Sequence, residues 1–302
     1  MCCLFGFYNY SGQPIKNINH LTNCLAEEAT VRGIDATGIA YNHKNKLVIH
    51  KEAKSAYQMD LKHPDDIVSV TGHTRHSTQG NKNKNYNNHP FSGRCKNVSF
   101  ALAHNGVLTN DRKLRKELHL PHTKIETDSF IAVQLIEKKK ILNSEGIKFM
   151  AEKINGSFAF SILDTDNTLW LVRGDSPLTL IHIPKYKLYV YASTDEILYK
   201  ALVDTNLFAE IKKGAFDEIK IDPGDILNIL PNGSIVYDKF NYTDYSYFSH
   251  CNWWDYDISE GSYIDDLKSV AACHGYSPDD IDELIESGFT PEEVENFIYF
   301  NE

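Results

Sequence analysis

The sequence begins MCCLFGFYNY (residues 1–10), and this stretch governs the architecture that we expect. Its aliphatic and aromatic residues from position 3 to 10 are typical of a buried β-strand. Removal of Met1 would leave Cys2 with its thiol and a free α-amine on one residue. Because an α-amine has an unperturbed pKa of about 8, it can act as the general base for that thiol. A cysteine here is more often an incidental small residue, so its interpretation depends on the rest of the chain.

More strands and a few helices follow, over roughly 240 residues. Runs rich in β-branched and aromatic residues predict strands at 46–52, 66–73, 98–106, 158–164, 169–174, 178–183 and 187–193. Apolar residues at helical spacing predict helices at 18–31, 111–119, 127–141 and 194–203, with Asn110 and Thr127 as caps of the second and third. Buried strands combined with several helices indicate an α+β fold built in layers.

The sequence changes character after residue 240. Residues 241–258 are aromatic and acidic, and we predict an ordered connection there. Beyond it, Ser277-Pro278 and Thr290-Pro291 each put a capping residue before a proline at a first helical position. Because about 40 residues form too small a core to fold alone, this tail is expected to dock on the main body or on a partner. The predicted division is 2–240, 241–258 and 259–302, the last being a candidate partner-docking module.

Composition and charge argue against several classes of function. The net charge is −10, from 31 Lys and Arg against 41 Asp and Glu, which disfavours nucleic acid as a partner. We find no signal peptide and no apolar stretch of membrane-spanning length, and the six cysteines lack CxxC spacing, so we predict a cytoplasmic protein with reduced thiols. His73, His76, His89 and His104 match no zinc-binding spacing, so neither a metal nor another cofactor is predicted.

Seven segments carry the functional signal, in this order: MCCLFGF (1–7), RGIDATGIA (32–40), GHTRHSTQG (72–80), NHP (88–90), AHNGVLTN (103–110), ETDSF (126–130) and RGDSPL (173–178). Their order and spacing resemble those of the class II, or N-terminal nucleophile, glutamine amidotransferases. The resemblance is closest to the glutaminase domain of glucosamine-6-phosphate synthase. It implies a four-layer α/β/β/α sandwich of two mainly antiparallel sheets, with Cys2 on a central strand and a small helical tail at the C-terminus.

The resemblance also assigns the groups that would bind glutamine and attack it. Cys2 would be the nucleophile. Arg75 would bind the α-carboxylate through a bidentate fork that Lys could not reproduce. Asp128 would pair with the α-ammonium, although an acid at a helix start is also an ordinary surface feature.

Asn105 and Gly106 resemble the family's oxyanion hole. The Asn side-chain amide and the Gly backbone N–H would face the oxygen that becomes negative, and such donors are typically worth ~3 kcal/mol each. The alternative is a tight turn, since Asn-Gly is the strongest hairpin dipeptide. The two interpretations are compatible, because a turn can present an exposed N–H.

By resemblance, three more residues are assigned to substrate binding and two to support. His76, Thr78 and His89 fall on the loop that contacts glutamine, and for His89 a purely loop-stabilising role is equally consistent. Arg32 and Asp35 are expected to buttress the nucleophile strand rather than to touch substrate.

The chain departs from the family at three positions near these motifs. Cys3 replaces a small glycine, and His76 and Gln79 stand where the sugar synthases commonly have Trp and His. The polar loop 79–88 is predicted to be a mobile lid.

By resemblance the activity is hydrolysis of the glutamine side-chain amide through a Cys2 thioester. No second catalytic domain is recognisable after residue 240, so the ammonia would pass in trans to a separate synthetase or other ammonia-accepting enzyme, and self-association into a homo-oligomer is compatible with this. The alternatives are a glutamine-sensing or scaffold module with little turnover, and a hydrolase of another γ-glutamyl amide.

Overall fold

The computed structural model describes residues 2–96, 98–242, 263–273 and 276–300. The strands are β1 (Cys3–Asn9), β2 (Ala36–His43), β3 (Lys46–Glu52), β4 (Ser69–Arg75), β5 (Phe91–Cys95), β6 (Val98–Leu108), β7 (Gly156–Asp164), β8 (Leu169–Arg173), β9 (Thr179–Ile183), β10 (Leu188–Ala192), β11 (Asp217–Ile219), β12 (Asp225–Ile229) and β13 (Ile235–Lys239). The helices are α1 (Ile18–Glu28), α2 (Asp111–Glu117), α3 (Phe130–Lys139), α4 (Ser144–Ala151), α5 (Asp195–Val203), α6 (Phe208–Lys212), α7 (Tyr263–Cys273), α8 (Pro278–Glu286) and α9 (Pro291–Phe300).

Within these ranges the strands form two antiparallel sheets. The first has seven strands in the order β11-β9-β10-β1-β4-β2-β3, and the second has six in the order β13-β12-β8-β7-β6-β5. Strand β1 lies inside the first sheet, between β10 and β4. The register pairs Cys3 with Thr74, which sets Cys2 beside the end of β4.

Apolar cores on both faces of each sheet produce four layers. Helices α1 and α5 cover the outer face of the first sheet, and α3 and α4 cover that of the second. A further core fills the space between the sheets. Strand β1 shows how sequence alternation builds this arrangement, because Cys3, Phe5 and Phe7 face the helices whereas Leu4 and Tyr8 face the other sheet. The predicted four-layer α/β/β/α sandwich is confirmed.

Some predicted boundaries and caps were wrong. Strand β4 extends further than predicted, so Arg75 is its last residue. Helix α3 begins at Phe130, and the Thr127 hydroxyl donates to the backbone oxygen of Asn87 (2.8 Å) instead of capping it. Asn110 occupies the N-cap position of α2, as predicted, but its side chain makes no capping bond; its amide donates to the backbone oxygen of Lys153 (2.9 Å). Both side chains therefore bond to backbone oxygens of neighbouring loops and not to the N–H groups of a helix end.

The C-terminal helices form a small cluster of their own. Their shared core consists of Tyr263, Leu267, Ala271, Ile281, Val294 and Ile298. Ser277 and Asp280 form a reciprocal capping box at the start of α8, and the Thr290 hydroxyl accepts a bond from the Glu293 N–H at the start of α9. Residues 243–262, which include most of the predicted connection, lie outside the described residues, so the division into 2–240, 241–258 and 259–302 stays a prediction. In the described ranges no helix combines the length and the apolar character needed to cross a membrane.

Candidate active site

Cys2 lies immediately before β1, beside the end of β4. Its side chain is partly exposed, and its Sγ donates to the backbone oxygen of His76 at 3.5 Å. Burial of the sulfur by the surrounding protein raises the pKa of the thiol. The thiol form therefore dominates near neutral pH, and a base is needed to make the nucleophile.

Arg32 connects Cys2 to Asn105. It follows α1 and is buried, with its Nε donating to the Cys2 backbone oxygen (2.8 Å) and its Nη2 to Asn105 Oδ1 (3.3 Å). A guanidinium can only donate, so Asn105 must turn its oxygen toward Arg32 and its amide nitrogen away. That nitrogen, Nδ2, is buried and has no hydrogen-bond partner among the described residues. The arrangement leaves one oriented N–H₂ group available, on a residue that Arg32 links to Cys2.

Gly106 is required by its backbone conformation. Its φ is +131°, and a Cβ at this position would lie 2.1 Å from the backbone oxygen of Ser157. Asn105 and Gly106 lie inside β6, where they pair with Ala159 and Phe158 of β7. The alternative of an Asn-Gly hairpin turn is therefore wrong, because the dipeptide is held within a sheet.

Arg75 faces the loop that follows β4. Its Nη1 donates to Asn88 Oδ1 (2.6 Å), and its Nη2 donates to the backbone oxygens of Gln79 (2.5 Å) and Gly80 (3.3 Å). Burial lowers the pKa of the Arg75 guanidinium, and with an unperturbed pKa above 12 the group stays charged at neutral pH. The two loop carbonyls therefore occupy Nη2 of the guanidinium, which by resemblance would bind the α-carboxylate of glutamine.

Two acids, Asp35 and Glu126, also bind the loop that follows β4. Asp35 accepts a bond from the Ser77 N–H (2.8 Å) and pairs with Lys82. Burial opposes ionisation of Asp35, but these hydrogen bonds outweigh it and lower the pKa of the carboxyl. Glu126 accepts from the Asn81 N–H at 3.0 Å. Asp35 thus contacts the loop, whereas Arg32 contacts the residue that leads into β1.

Asp128 lies between α2 and α3, shortly before α3 begins. It is buried, and its Oδ2 accepts a bond from the Leu108 N–H at 2.7 Å. Burial raises the pKa of this carboxyl to about 6. After burial, the charges of Arg75 and Asp128 act on the Cys2 thiol in opposite directions, the cation lowering and the anion raising its pKa. The structure therefore brings a thiol, a cation and an anion into one electrostatic neighbourhood.

The remaining predicted residues divide between the surface and the interior. His76 and Thr78 are exposed, whereas His89 is buried with its ring centroid 4.1 Å from that of His73. Burial lowers the pKa values of His73 and His104 to about 3, so both rings are neutral at neutral pH. Among the described residues no group of three or more His, Cys, Asp or Glu side chains is arranged to hold a metal ion.

One residue near this site was missed by sequence reasoning. Glu295 of α9 is fully buried and forms an ion pair with Arg32. Nothing in its spacing marks it, because acids are common in helices and Glu295 stands beside the apolar stripe of α9.

A central strand headed by a partly exposed cysteine, in a sandwich of two antiparallel sheets, defines the N-terminal nucleophile hydrolase fold. Two solved structures share it. One is the glutamine phosphoribosylpyrophosphate (PRPP) amidotransferase from B. subtilis, with a TM-score of 0.61, 22% identity, and coverage of 80% of this chain and 50% of that one. The other, described as the allosteric regulatory enzyme of purine biosynthesis, has a TM-score of 0.62, 19% identity, and coverage of 98% and 63%.

Sequence comparison identifies the family. Residues 73–200 match the model of the glutamine amidotransferase domain. Glutamine–fructose-6-phosphate aminotransferase (isomerizing) of Listeria innocua is 34% identical over 161 residues, which are 51% of this chain and 26% of that protein. Its counterpart from Fusobacterium nucleatum is 28% identical over 249 residues, 79% of this chain and 37% of that protein. The chain carries a class II glutamine amidotransferase domain and spans about a quarter to a third of the length of these curated relatives.

Proposed function

We propose that the chain hydrolyses the side-chain amide of L-glutamine to glutamate and ammonia, with Cys2 as the N-terminal nucleophile after removal of Met1. The observation that carries the proposal is the Asn105 Nδ2 group, which is buried, unpartnered among the described residues and oriented by the same Arg32 side chain that binds the Cys2 backbone oxygen. A buried hydrogen-bond donor without an acceptor lowers the stability of the folded protein. In an active site such a donor can stabilise a negative oxygen that forms during the reaction.

The chemistry follows from the raised pKa of the thiol. The α-amine of Cys2 takes the thiol proton as sulfur attacks the amide carbon, and the carbonyl π electrons move onto oxygen. Asn105 Nδ2 and the Gly106 N–H stabilise that oxygen. The amine then gives the proton to the departing nitrogen, so ammonia leaves and a γ-glutamyl thioester remains. Water, deprotonated by the same amine, attacks the thioester, and glutamate and the Cys2 thiol are regenerated.

Recognition of free glutamine requires a cation and an anion at a fixed separation. Arg75 would bind the α-carboxylate, and because Gln79 and Gly80 oxygens now engage its Nη2, the carboxylate must displace them or bind the remaining edge. Asp128 would bind the α-ammonium as a carboxylate. His76 and Thr78, exposed on the same loop, are the side chains available to cover the bound substrate.

We also propose that the ammonia serves an acceptor enzyme in trans. The names of the relatives pair glutamine with fructose 6-phosphate or with PRPP, and the matched residues make up 26% and 50% of those chains. The paired names support a glutaminase unit whose ammonia is passed on to an acceptor. The cytoplasmic location stays a prediction.

The test is release of products across pH. Protein lacking Met1 is expected to release glutamate and ammonia in equal amounts. Two ionisations are expected to control kcat/KM: the α-amine with a pKa of about 8 and Asp128 with a pKa of about 6. Both groups must be deprotonated, so log kcat/KM should rise with a slope of about one between these values and with a slope of about two below pH 6.

Two variants separate the contributions of the α-amine and of Asp128 to the pH profile of kcat/KM, and each contribution is called a limb of that profile. Asp128→Asn should keep the amine limb, lose the steeper limb below pH 6, and raise the KM for glutamine. Asp164→Asn is the control, since burial also raises the pKa of Asp164 to about 6, but its Oδ1 accepts bonds from the backbone N–H groups of Asp166 and Thr168, in the turn between β7 and β8. If Asp128→Asn keeps the full profile, or if no glutamate is released at any pH, the assignment is wrong.

A further inference from the structure

A buried acid of the C-terminal helices lies against the catalytic centre. Glu295 of α9 is 0% exposed, and its Oε1 pairs with Arg32 Nη1, which belongs to a side chain only 1% exposed. The hydroxyl of Tyr263, on α7, donates to the other carboxylate oxygen of Glu295. Two tail helices therefore place a single carboxylate behind Arg32.

Arg32 uses a different guanidinium nitrogen for each of these contacts in the described part of the chain. Nη1 meets Glu295, Nε donates to the Cys2 backbone oxygen at 2.8 Å, and Nη2 donates to Asn105 Oδ1 at 3.3 Å. The guanidinium is planar and rigid, so fixing one edge fixes the direction of the other two. The orientation of the Asn105 amide and the position of the Cys2 carbonyl are thereby tied to a residue of the tail.

The ion pair between Arg32 and Glu295 neutralises a buried charge. Arg32 is buried, and a buried cation without a nearby anion is strongly disfavoured. Without the carboxylate of Glu295, the guanidinium gains by turning toward water or another acid, and either movement breaks its bonds to Cys2 and Asn105.

We propose that Glu295 is a positioning residue for the Cys2 site, and that the helical tail completes the catalytic centre by holding Arg32 against Cys2 and Asn105. This inference rests on the proposed glutamine hydrolysis. It assigns the tail a role inside the enzyme, in addition to any docking of a partner.

The same helix provides a matched control. Glu292, one turn before Glu295, forms an ion pair with Arg173 of β8 at 2.6 Å and so also links tail to body. Among the described residues Arg173 forms no hydrogen bond with Cys2 or Asn105, and its Nη1 donates to the backbone oxygen of Ile221 (2.8 Å). Glu292→Gln and Glu295→Gln therefore make the same chemical change and each remove one tail-to-body ion pair.

The experiment compares kcat, KM and Tm of full-length wild type, Glu295→Gln and Glu292→Gln. Glu295→Gln is expected to lower kcat by about 10- to 100-fold, because a misplacement of about 1 Å can cost a site that much. Its KM for glutamine should change by less than about threefold, because Arg75 and Asp128 are untouched. Glu292→Gln should keep the wild-type kcat even where its Tm falls.

Three results would overturn the inference: wild-type kcat in Glu295→Gln, an equal loss of kcat in both variants, or a loss expressed in KM alone. Wild-type protein without any turnover would count against the proposed hydrolysis instead. In that case NMR of the Arg32 Nε–Hε group decides the structural claim. Its exchange with water should be slow in wild type and Glu292→Gln and fast in Glu295→Gln, and unchanged exchange in Glu295→Gln would contradict the proposal.

Discussion

Replacing Cys2 by alanine is expected to abolish glutamine hydrolysis, with a loss in kcat of about 10⁴-fold or more, since the covalent route is closed. Alanine is as small as cysteine, so removal of Met1 should be retained. The groups assigned to glutamine recognition, Arg75 and Asp128, are unchanged, so binding of glutamine should stay within about threefold of wild type. Product release and calorimetric titration measure the two quantities separately.

Cys3→Ala is the matched control for this substitution. Cys3 is adjacent in sequence but fully buried on the helix side of β1, so its thiol is closed to solvent whereas that of Cys2 is partly exposed. Wild-type turnover is expected in Cys3→Ala. Residual turnover in Cys2→Ala that Cys3→Ala removes would transfer the nucleophile to Cys3, and a Cys2→Ala protein as active as wild type would refute covalent catalysis.

Asn105→Ala is expected to lower kcat by about 10²- to 10³-fold, or ~3–4 kcal/mol of transition-state stabilisation, with little change in KM. The reason is that Asn105 Nδ2 is the donor with no other acceptor among the described residues. Steady-state kinetics with glutamine, at the pH of maximal activity, is the measurement.

Asn105→Asp tests which half of the amide matters. Aspartate still accepts the bond from Arg32 Nη2, so the Arg32–Cys2 geometry is kept, but it offers no N–H and adds a negative charge beside the developing oxyanion. It should be at least as slow as Asn105→Ala. Recovery of activity in Asn105→Asp would mean that the residue matters only as a partner of Arg32.

The layered fold was readable from the sequence wherever a strand carries β-branched and aromatic residues. Strands such as β3, β6 and β10 fall within a residue or two of their predicted positions. Strand β2 was missed because ATGIAYNH contains Ala, Gly and Asn, which disfavour strands, and pairing with β3 and β4 overrides that preference. The strand pairing itself depends on tertiary contacts that no local pattern records.

The site was predictable only as a set of residues. Motif order pointed to Cys2, Arg75 and Asp128, but not to the partners that hold them. Arg32 was expected to support the nucleophile strand, yet its bond to Asn105 Oδ1 arises where the two sheets meet and has no sequence signature. Glu295 lies 263 positions after Arg32, and only the docking of the tail brings the two together.

Intact-protein and peptide mass spectrometry after treatment with 6-diazo-5-oxo-norleucine, a glutamine-mimicking electrophile, tests the central claim most directly. The predicted result is a single adduct on Cys2, in protein that lacks Met1, with labelling suppressed by excess glutamine and with Cys3 unmodified. Protein that retains Met1, or labelling that excess glutamine does not slow, would contradict the assignment of Cys2 as the N-terminal nucleophile of a glutamine site.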